Sequence, residues 1–443
     1  MQRSLAALLC LAALGVVGCG DGGKRPVMIG VLADCTGALG SFNELELASA
    51  ELPLLERGGR LVGSDVRDGV SGAKVGGRRV DLITGCAEST TYEVLIAEAR
   101  RLVENEHVDV LIGPPLDSDG LVLREIARRS PNVAFLLTVS RSQETTLRKP
   151  APNLFRFQPD AAQQAAGLGS YAYRRLGWRT AAVVGEDFAT SWPRAAGFIA
   201  EFCALGGRIA ARLFPPVGAS LPALAARIPR GVDGVAVMPA VTVPFVDWSV
   251  FVKAYSRRQP DVARHIVLGP ETLILHANRA HLARVAKGAI AGSSEPYVAT
   301  NRAWLRVRGQ FGRYFPGVLP PRSVPAEYPA VLAYRNASEA VLEALEGVRG
   351  DISGGERRFM SALGRLRLET PAGLIRLDIR RQAVTPAYLT RVGADAAGRP
   401  KLRTVRVVPD VEQTFGGYFS AADPPPNPTS PACRRATPPP WAR

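Results

Sequence analysis

Six small polar residues fall in two short stretches of the sequence, Asp117, Ser118 and Asp119 in the first and Thr138, Ser140 and Ser142 in the second. Donors and acceptors of this size hold a ligand by hydrogen bonds; they do not make up a nucleophile, a base and an orienting group. The rest of the chain adds little reactive chemistry. Its four histidines, His107, His265, His276 and His281, form no HExxH, and the last two stand five apart, off a common helical face. There is no GxSxG elbow and no Walker loop. Gly167-Leu168-Gly169 falls inside a helical pattern instead of at a strand-to-helix turn, so it is no dinucleotide fingerprint. Glu186-Asp187 is an acidic pair of a kind common on loops. The chain therefore reads as a binder and not an enzyme, with no cofactor and no metal site.

The elements that must position the two polar stretches lie between residues 108 and 142. VDVLI is a β-branched strand closed by Gly-Pro-Pro, Leu121, Val122, Ile126 and Ala127 recur at helical spacing, and VAFLLT is a second strand after Ser-Pro-Asn. Strands joined through a helix run parallel with a right-handed crossover, so both point their carboxyl ends, and the loops that follow, at one edge of a sheet. Open α/β sheets bind ligands at that edge. Upstream, 27–33 and 80–84 read as strands, with helices at 44–55 and 92–104. Downstream the alternation restarts at 155–157, with strands at 180–184, 208–214, 234–238 and 265–268 and helices at 161–176, 192–205, 221–228 and 245–255. Further helices are expected at 303–314, 330–345 and 359–366, and strands at 373–379, 387–392 and 402–408. Two such cycles predict two parallel-sheet lobes with a cleft between them.

The ends read differently. Arg3, an apolar run at 5–17 and Val16-Val17-Gly18-Cys19 have the length and order of an export signal, and look like a bacterial lipoprotein signal whose Cys19 is lipidated. An ordinary secretory signal or a short uncleaved anchor are the alternatives. On the first reading residues 1–18 are removed and 19–26 form a tether. The last residues, 420–443, are dense in proline and predicted to be disordered. A formal charge of +15 is carried mostly by arginines scattered in ones and twos, without the stripe or module that nucleic acid requires; weak attraction to anionic lipid is a possible extra. Of the six cysteines, Cys35, Cys86, Cys203 and Cys433 remain for pairing, which allows three connectivities. Cys35 and Cys86 close the first two strands at one sheet edge, so Cys35–Cys86 is the preferred bridge, free thiols being the alternative.

Several segments, in this order, resemble the type I periplasmic solute-binding proteins of ABC transporters, in particular the branched-chain amino acid group. These are IGVLADCTGALGSFNELELASAE, ERGGRLVG, CAESTTYEVLIAEARRLVENEHVDVLIGP, LGPETLI and LETPAGLIRLDIRRQAVTPAYLTRVG, and the likeness runs from about residue 27 to 419. The resemblance implies a two-lobed α/β fold, each lobe a three-layer α/β/α sandwich around a parallel sheet, joined by three hinge crossings near Phe157, Pro296 and Thr370. It sets lobe 1 at 27–156 and 297–367 and lobe 2 at 157–296 and 368–419. It implies hydroxyls for a ligand carboxylate at Ser118 and Ser142, with Thr138 and Ser140 in the same loop, an acceptor for a ligand ammonium at Glu271, and an aromatic wall at Phe42. The family's Tyr-Gly in lobe 2 is replaced by GEDFATSW, which leaves the wall there to Phe188 or its neighbours Thr190 and Trp192. The function implied is capture of a small polar molecule, an amino acid or a relative of one, for an ABC permease, on the periplasmic face of a membrane that the lipid anchors. The second reading is a sensing or envelope-interaction module of the same fold without a transporter.

Overall fold

The apolar runs that mark the strands are nearly continuous because both sheet faces are covered by helices. The computed structural model describes residues 25–443 apart from 38, 89–90, 115, 117, 241–245, 274–275, 299, 354–356 and 397, and apart from the side chains of 271, 273 and 276–278. The signal at 1–18, Cys19, most of the tether and Asp117 lie outside the described residues. In chain order lobe 1 lays down β1 (Val27–Asp34), α1 (Asn43–Leu55), β2 (Arg60–Leu61), β3 (Val70–Val75), β4 (Arg78–Ala87), α2 (Tyr92–Arg100), β5 (Val110–Ile112), α3 (Asp119–Arg129), β6 (Ala134–Leu137), α4 (Glu144–Leu147) and β7 (Leu154–Arg156). Lobe 2 follows with α5 (Ala161–Gln164), α6 (Leu168–Arg174), β8 (Thr180–Val184), α7 (Ser191–Ala204), β9 (Arg208–Leu213), α8 (Leu221–Ala226), β10 (Gly234–Val237), α9 (Ser249–Ser256), β11 (Ile266–Leu268), α10 (His276–Val285) and β12 (Ile290–Ser293). The chain then returns to lobe 1 through α11 (Arg302–Tyr314), α12 (Pro329–Gly347) and α13 (Arg357–Arg365) and ends in β13 (Arg367–Thr370), β14 (Gly373–Leu377), β15 (Ala383–Arg391) and β16 (Arg403–Val411).

The first sheet has the order β2-β3-β4-β1-β5-β6-β7 and the second runs β13-β14-β15-β12-β11-β10-β8-β9, with β16 on β15. The pairings β4-β1, β1-β5, β5-β6 and β6-β7 are parallel, as are β8-β9, β8-β10, β10-β11 and β11-β12. Neither sheet is purely parallel, however. The Gly-rich insertion after α1 folds back as β2 and β3 and pairs antiparallel, and β15 pairs antiparallel with both β12 and β16. Short turns return a strand beside its predecessor in the opposite sense, which a helical crossover does not. In lobe 1 one apolar layer packs under α1 and α12 and another under α2 and α3; in lobe 2 α7 covers one face and α9 the other.

The predicted helix at 161–176 is two helices. Gly167 between them has φ +88°, and a Cβ there would stand 2.6 Å from Cγ2 of Val408. The left-handed turn and the close approach of β16 both select glycine. The crossing expected near Thr370 is also displaced. Leu368, Ala372, Ile375 and Ala383 pack in the core of lobe 1, whereas Ala387 and Leu389 pack in that of lobe 2, so the chain changes lobes within β15.

The expectation of a disordered tail is overturned. Cys433 forms a disulfide with Cys203 on α7, beside the Cys35–Cys86 bridge elsewhere in the fold. Trp441 is buried in the lobe 2 core, and Arg148 donates to the carbonyls of Asp423 and Pro424. Proline density lowers the tendency to form helix or sheet, yet it also lowers the entropy lost on ordering, and one crosslink with one aromatic anchor is enough to hold the segment.

One buried group lowers stability at neutral pH. Glu51 in α1 is fully buried, and its two carboxyl oxygens have no hydrogen-bond partner among the described residues. Burial, then Asp65 and Asp68, push its pKa up from 4.5 to about 9. The folded value lies above the unfolded one, so the stability this group contributes is present below about pH 4.5 and is lost as pH rises toward 9. Glu51→Gln should raise urea stability at pH 8 by about 2 kcal/mol, after the cost of an unpaired amide, and change little at pH 5. An equal gain at both pH values would contradict the assignment.

Candidate functional site

The carboxyl ends of β1, β4, β5 and β6 form one lip of the interlobe cleft, because parallel pairing brings their final residues to the same edge. Cys35 and Cys86 crosslink the first two of these ends with Cα atoms 5.1 Å apart. The loop after β6 carries the second polar stretch. Thr138 Oγ1 donates to the Pro114 carbonyl at 2.7 Å and is fully buried, so this hydroxyl serves the fold beneath the lip. Ser140 and Ser142 are fixed through their carbonyls, which accept from Nη1 of Arg156 at 3.1 and 2.8 Å. Ser118 occupies the N-cap position of α3 without making the usual side-chain cap, and its hydroxyl donates to Asp119 at 3.4 Å. A Cβ at Gly120 would lie 2.0 Å from Ser140 Oγ and 2.8 Å from its Cβ, so the Ser140 side chain sits directly on the first turn of α3. The structure thus brings Ser140 onto the first turn of α3, the helix that begins beside Ser118 and carries the buried Asp119 in that same turn. Phe42 is half-buried and precedes α1.

Gly120→Ala tests this packing. The loop is pinned from below by Arg156, so the added methyl must displace either the loop or the helix. The expected cost is about 1–3 kcal/mol of stability in urea unfolding. No loss would show that the Ser140 loop yields freely.

Below the lip lies a buried polar group that the sequence did not announce. Asp34, Glu46 and Asp119 are all buried, and Tyr334 from α12 donates its hydroxyl to the Leu32 carbonyl at 2.8 Å. Burial, then the Asp34 carboxylate, push the Glu46 carboxyl well above its usual range, which favours its neutral form.

The opposite lip is built from the ends of β8, β10 and β11. Glu186 is committed to structure: its oxygens accept from Trp248 Nε1 at 2.6 Å and from the Ala240 amide at 2.8 Å, and burial raises its pKa. Phe188 is half-buried at the entry to α7, where its carbonyl accepts from Ser191 and Trp192. The Trp192 indole N–H and the Thr190 hydroxyl find no partner among the described residues. Glu271 lies in the short turn Pro270–Leu273 after β11, its side chain outside the described residues. Arg194 is fully buried and donates to the Pro239 carbonyl and to Gln164, whose amide donates to Ser294 at 3.1 Å.

Sequence reasoning missed Arg156 and Arg194. The signal was an arginine inside an apolar frame: Arg156 stands between Phe155 and Phe157, both buried, and Arg194 between Pro193 and Ala195. Arg156 joins the lip to the crossing strands. Its Nε donates to Gln382 Oε1 at 2.6 Å and its Nη2 to Thr146 Oγ1 at 2.8 Å, while Gln382 donates onward to Gln163 and to the Gln158 carbonyl. Among the described residues no group of histidine, cysteine and acidic side chains could hold a metal ion. The arrangement can hold a small molecule by hydrogen bonds and charge.

A family model described as periplasmic binding protein matches residues 26–398. Among solved structures, the chain is similar to an ABC transporter substrate-binding protein from Sphaerobacter thermophilus, at 23% identity and a TM-score of 0.73 over 88% of this chain and 99% of that one. It is also similar to a leucine-binding protein from Thermotoga maritima, at 17% identity and a TM-score of 0.65 over 86% and 99% of the two chains. A solute-binding protein of an ABC transporter from R. palustris, in complex with benzoate, aligns at 18% identity and a TM-score of 0.65 over 88% and 98%. No curated protein matches.

Proposed function

Because the chain belongs to the periplasmic binding protein family, we propose that it is the substrate-binding component of an ABC importer, held at the periplasmic face of a membrane by a lipid on Cys19. The observation that supports this reading is the Arg156 network, which ties the loop at Ser140 and Ser142 to Gln382 at the crossing between lobes. A ligand that settles against that loop biases the hinge directly, and closure of two lobes is how such a fold commits to its cargo.

The ligand we propose is a small carboxylate, specifically an amino acid. Leucine and benzoate, named for two of the similar structures, share a carboxylate and an apolar body. In this chain the first turn of α3 with Ser118 and Ser142 would take the carboxylate, Thr190 and Trp192, whose donors have no partner among the described residues, would face it from lobe 2, and Phe42 and Phe188 would supply apolar walls. Glu271 is the residue that would receive an ammonium.

Thermal unfolding of the ligand-stripped chain against amino acids and benzoates decides between the two ligand classes, since a ligand of the folded state alone must raise the midpoint. An amino acid that raises it, with the shift lost in Glu271→Ala, supports the proposal. A benzoate that raises it equally in both proteins moves the ligand to the aromatic acids. Silence across the panel from a folded protein favours a sensing or envelope-interaction module without cargo.

A further inference from the structure

At the end of lobe 2 remote from the cleft, beside the last residues of the ordered tail, lies an open cavity of about 880 Å³ whose wall carries five arginines: Arg174, Arg175, Arg391, Arg406 and Arg443. Its position follows from register. Arg391 pairs with Ile290 at the amino end of β12, and Arg174 and Arg175 stand at the carboxyl end of α6, just before the amino end of β8. The ligand cleft lies at the carboxyl ends of these same strands, so the two sites occupy opposite edges of one sheet.

The arginines are partly preorganised. Arg174 Nε donates to the Ala442 carbonyl at 3.1 Å, and Arg406 Nη2 donates to the Trp441 carbonyl at 2.6 Å. The Trp441 ring and the Cys203–Cys433 bridge in turn fix the segment that offers those carbonyls. Among the described residues no acidic side chain forms an ion pair with any of the five. The Glu201 carboxylate near Arg406 is already taken up by the amides of Gly167 and Ser170 and by Trp441 Nε1. Arg175 and Arg391 are exposed, and no hydrogen bond from either side chain appears among the described residues.

Like charges around one concavity repel one another, and an anion between them would replace repulsion by attraction. Guanidinium forks match phosphoryl oxygens in bidentate geometry, and several in one concavity favour an anion with more than one negative charge. The cavity is of the size that takes a small molecule, larger than a single phosphate requires. We propose that this cavity binds a phosphoryl-bearing polyanion, independently of whatever occupies the cleft. Two sources share that chemistry, a soluble polyphosphate-type anion and the headgroups of anionic phospholipid.

The test compares the full chain with Arg175→Gln/Arg391→Gln, whose side chains reach solvent and whose loss leaves the tail contacts in place. Tripolyphosphate is titrated calorimetrically at fixed ionic strength, since free salt screens such contacts, and vesicles of phosphatidylglycerol are used for cosedimentation. The expected result is binding in one arm that weakens by about tenfold or more in the double variant. Loss in the tripolyphosphate arm assigns the site to a soluble anion, and loss confined to the vesicles assigns it to a headgroup. An unchanged double variant, or wild-type protein silent in both arms, overturns the proposal. Circular dichroism of the double variant, expected to match the wild type, shows that any loss is not unfolding.

Discussion

Arg156→Met should destabilise the protein by about 3–5 kcal/mol and abolish ligand-induced stabilisation together with it. The guanidinium is fully buried and satisfies Gln382, Thr146 and the carbonyls of Ser140 and Ser142 at once. Methionine fills much of the volume but takes one donor from each of these acceptors, at a cost of about 1–3 kcal/mol for a group stranded away from water, while Gln382 Oε1 keeps the Thr146 hydroxyl and the Ser142 carbonyl keeps the Thr145 amide. Lysine would not rescue the change, because a single ammonium cannot reproduce the planar fork that spans both carbonyls and two side chains. The effect carries a pH signature. Burial pushes the Asp160 carboxyl from 3.8 up to about 6, and the Arg156 charge works against that rise. Asp160 therefore contributes stability below about pH 3.8 that is lost as pH rises through 6, and without Arg156 the loss deepens. Urea unfolding should show a larger deficit for Arg156→Met at pH 8 than at pH 5. A deficit below about 1 kcal/mol, or one with the opposite pH trend, would mean that the network does not carry the load assigned to it.

Trp441→Ala should cost about 3–5 kcal/mol, as large-to-small changes of buried aromatics do. Trp441 is 7% exposed, packs edge-on against Phe415 with ring centroids 5.3 Å apart, and donates to the buried Glu201 carboxylate at 2.6 Å. Removing it opens a cavity and takes one donor from an acid already pushed upward by burial. Phe in its place should recover the packing but not the hydrogen bond, leaving about 1–2 kcal/mol of the loss. The check is the unfolding midpoint together with the rate at which a protease trims the chain after Cys433. A disordered tail would give no change in either, so a silent Trp441→Ala would restore that reading.

The βαβ unit around residues 108–142 was legible because its two apolar runs, its intervening helical period and its Gly-Pro and Ser-Pro breaks all point the same way, and the strands fall at Val110–Ile112 and Ala134–Leu137. Other elements carried weaker signals. Ile290–Ser293 reads IAGS, too small and too short to mark a strand, and becomes one only between β11 and β15. The strands β2 and β3 lie in a Gly-rich stretch whose pairing partner, β4, decides their conformation. The tail misled because composition reports the cost of ordering a segment and says nothing of a crosslink or of a single anchoring ring. For the site, small hydroxyls at strand ends were visible, since the sheet edge is fixed by chain direction. The arginines that hold the loops were not, because a buried arginine and a surface one look alike until the neighbouring Phe155 and Phe157 are seen to face inward.

Closure of the lobes on a small carboxylate is tested most directly by small-angle X-ray scattering of the stripped chain, alone and with whichever compound raises the thermal midpoint. The prediction is a smaller radius of gyration with ligand in the wild type, and no such compaction in Arg156→Met under conditions where that variant remains folded. Saturation by the ligand with no change in the scattering profile of the wild type would contradict a hinge-closing receptor.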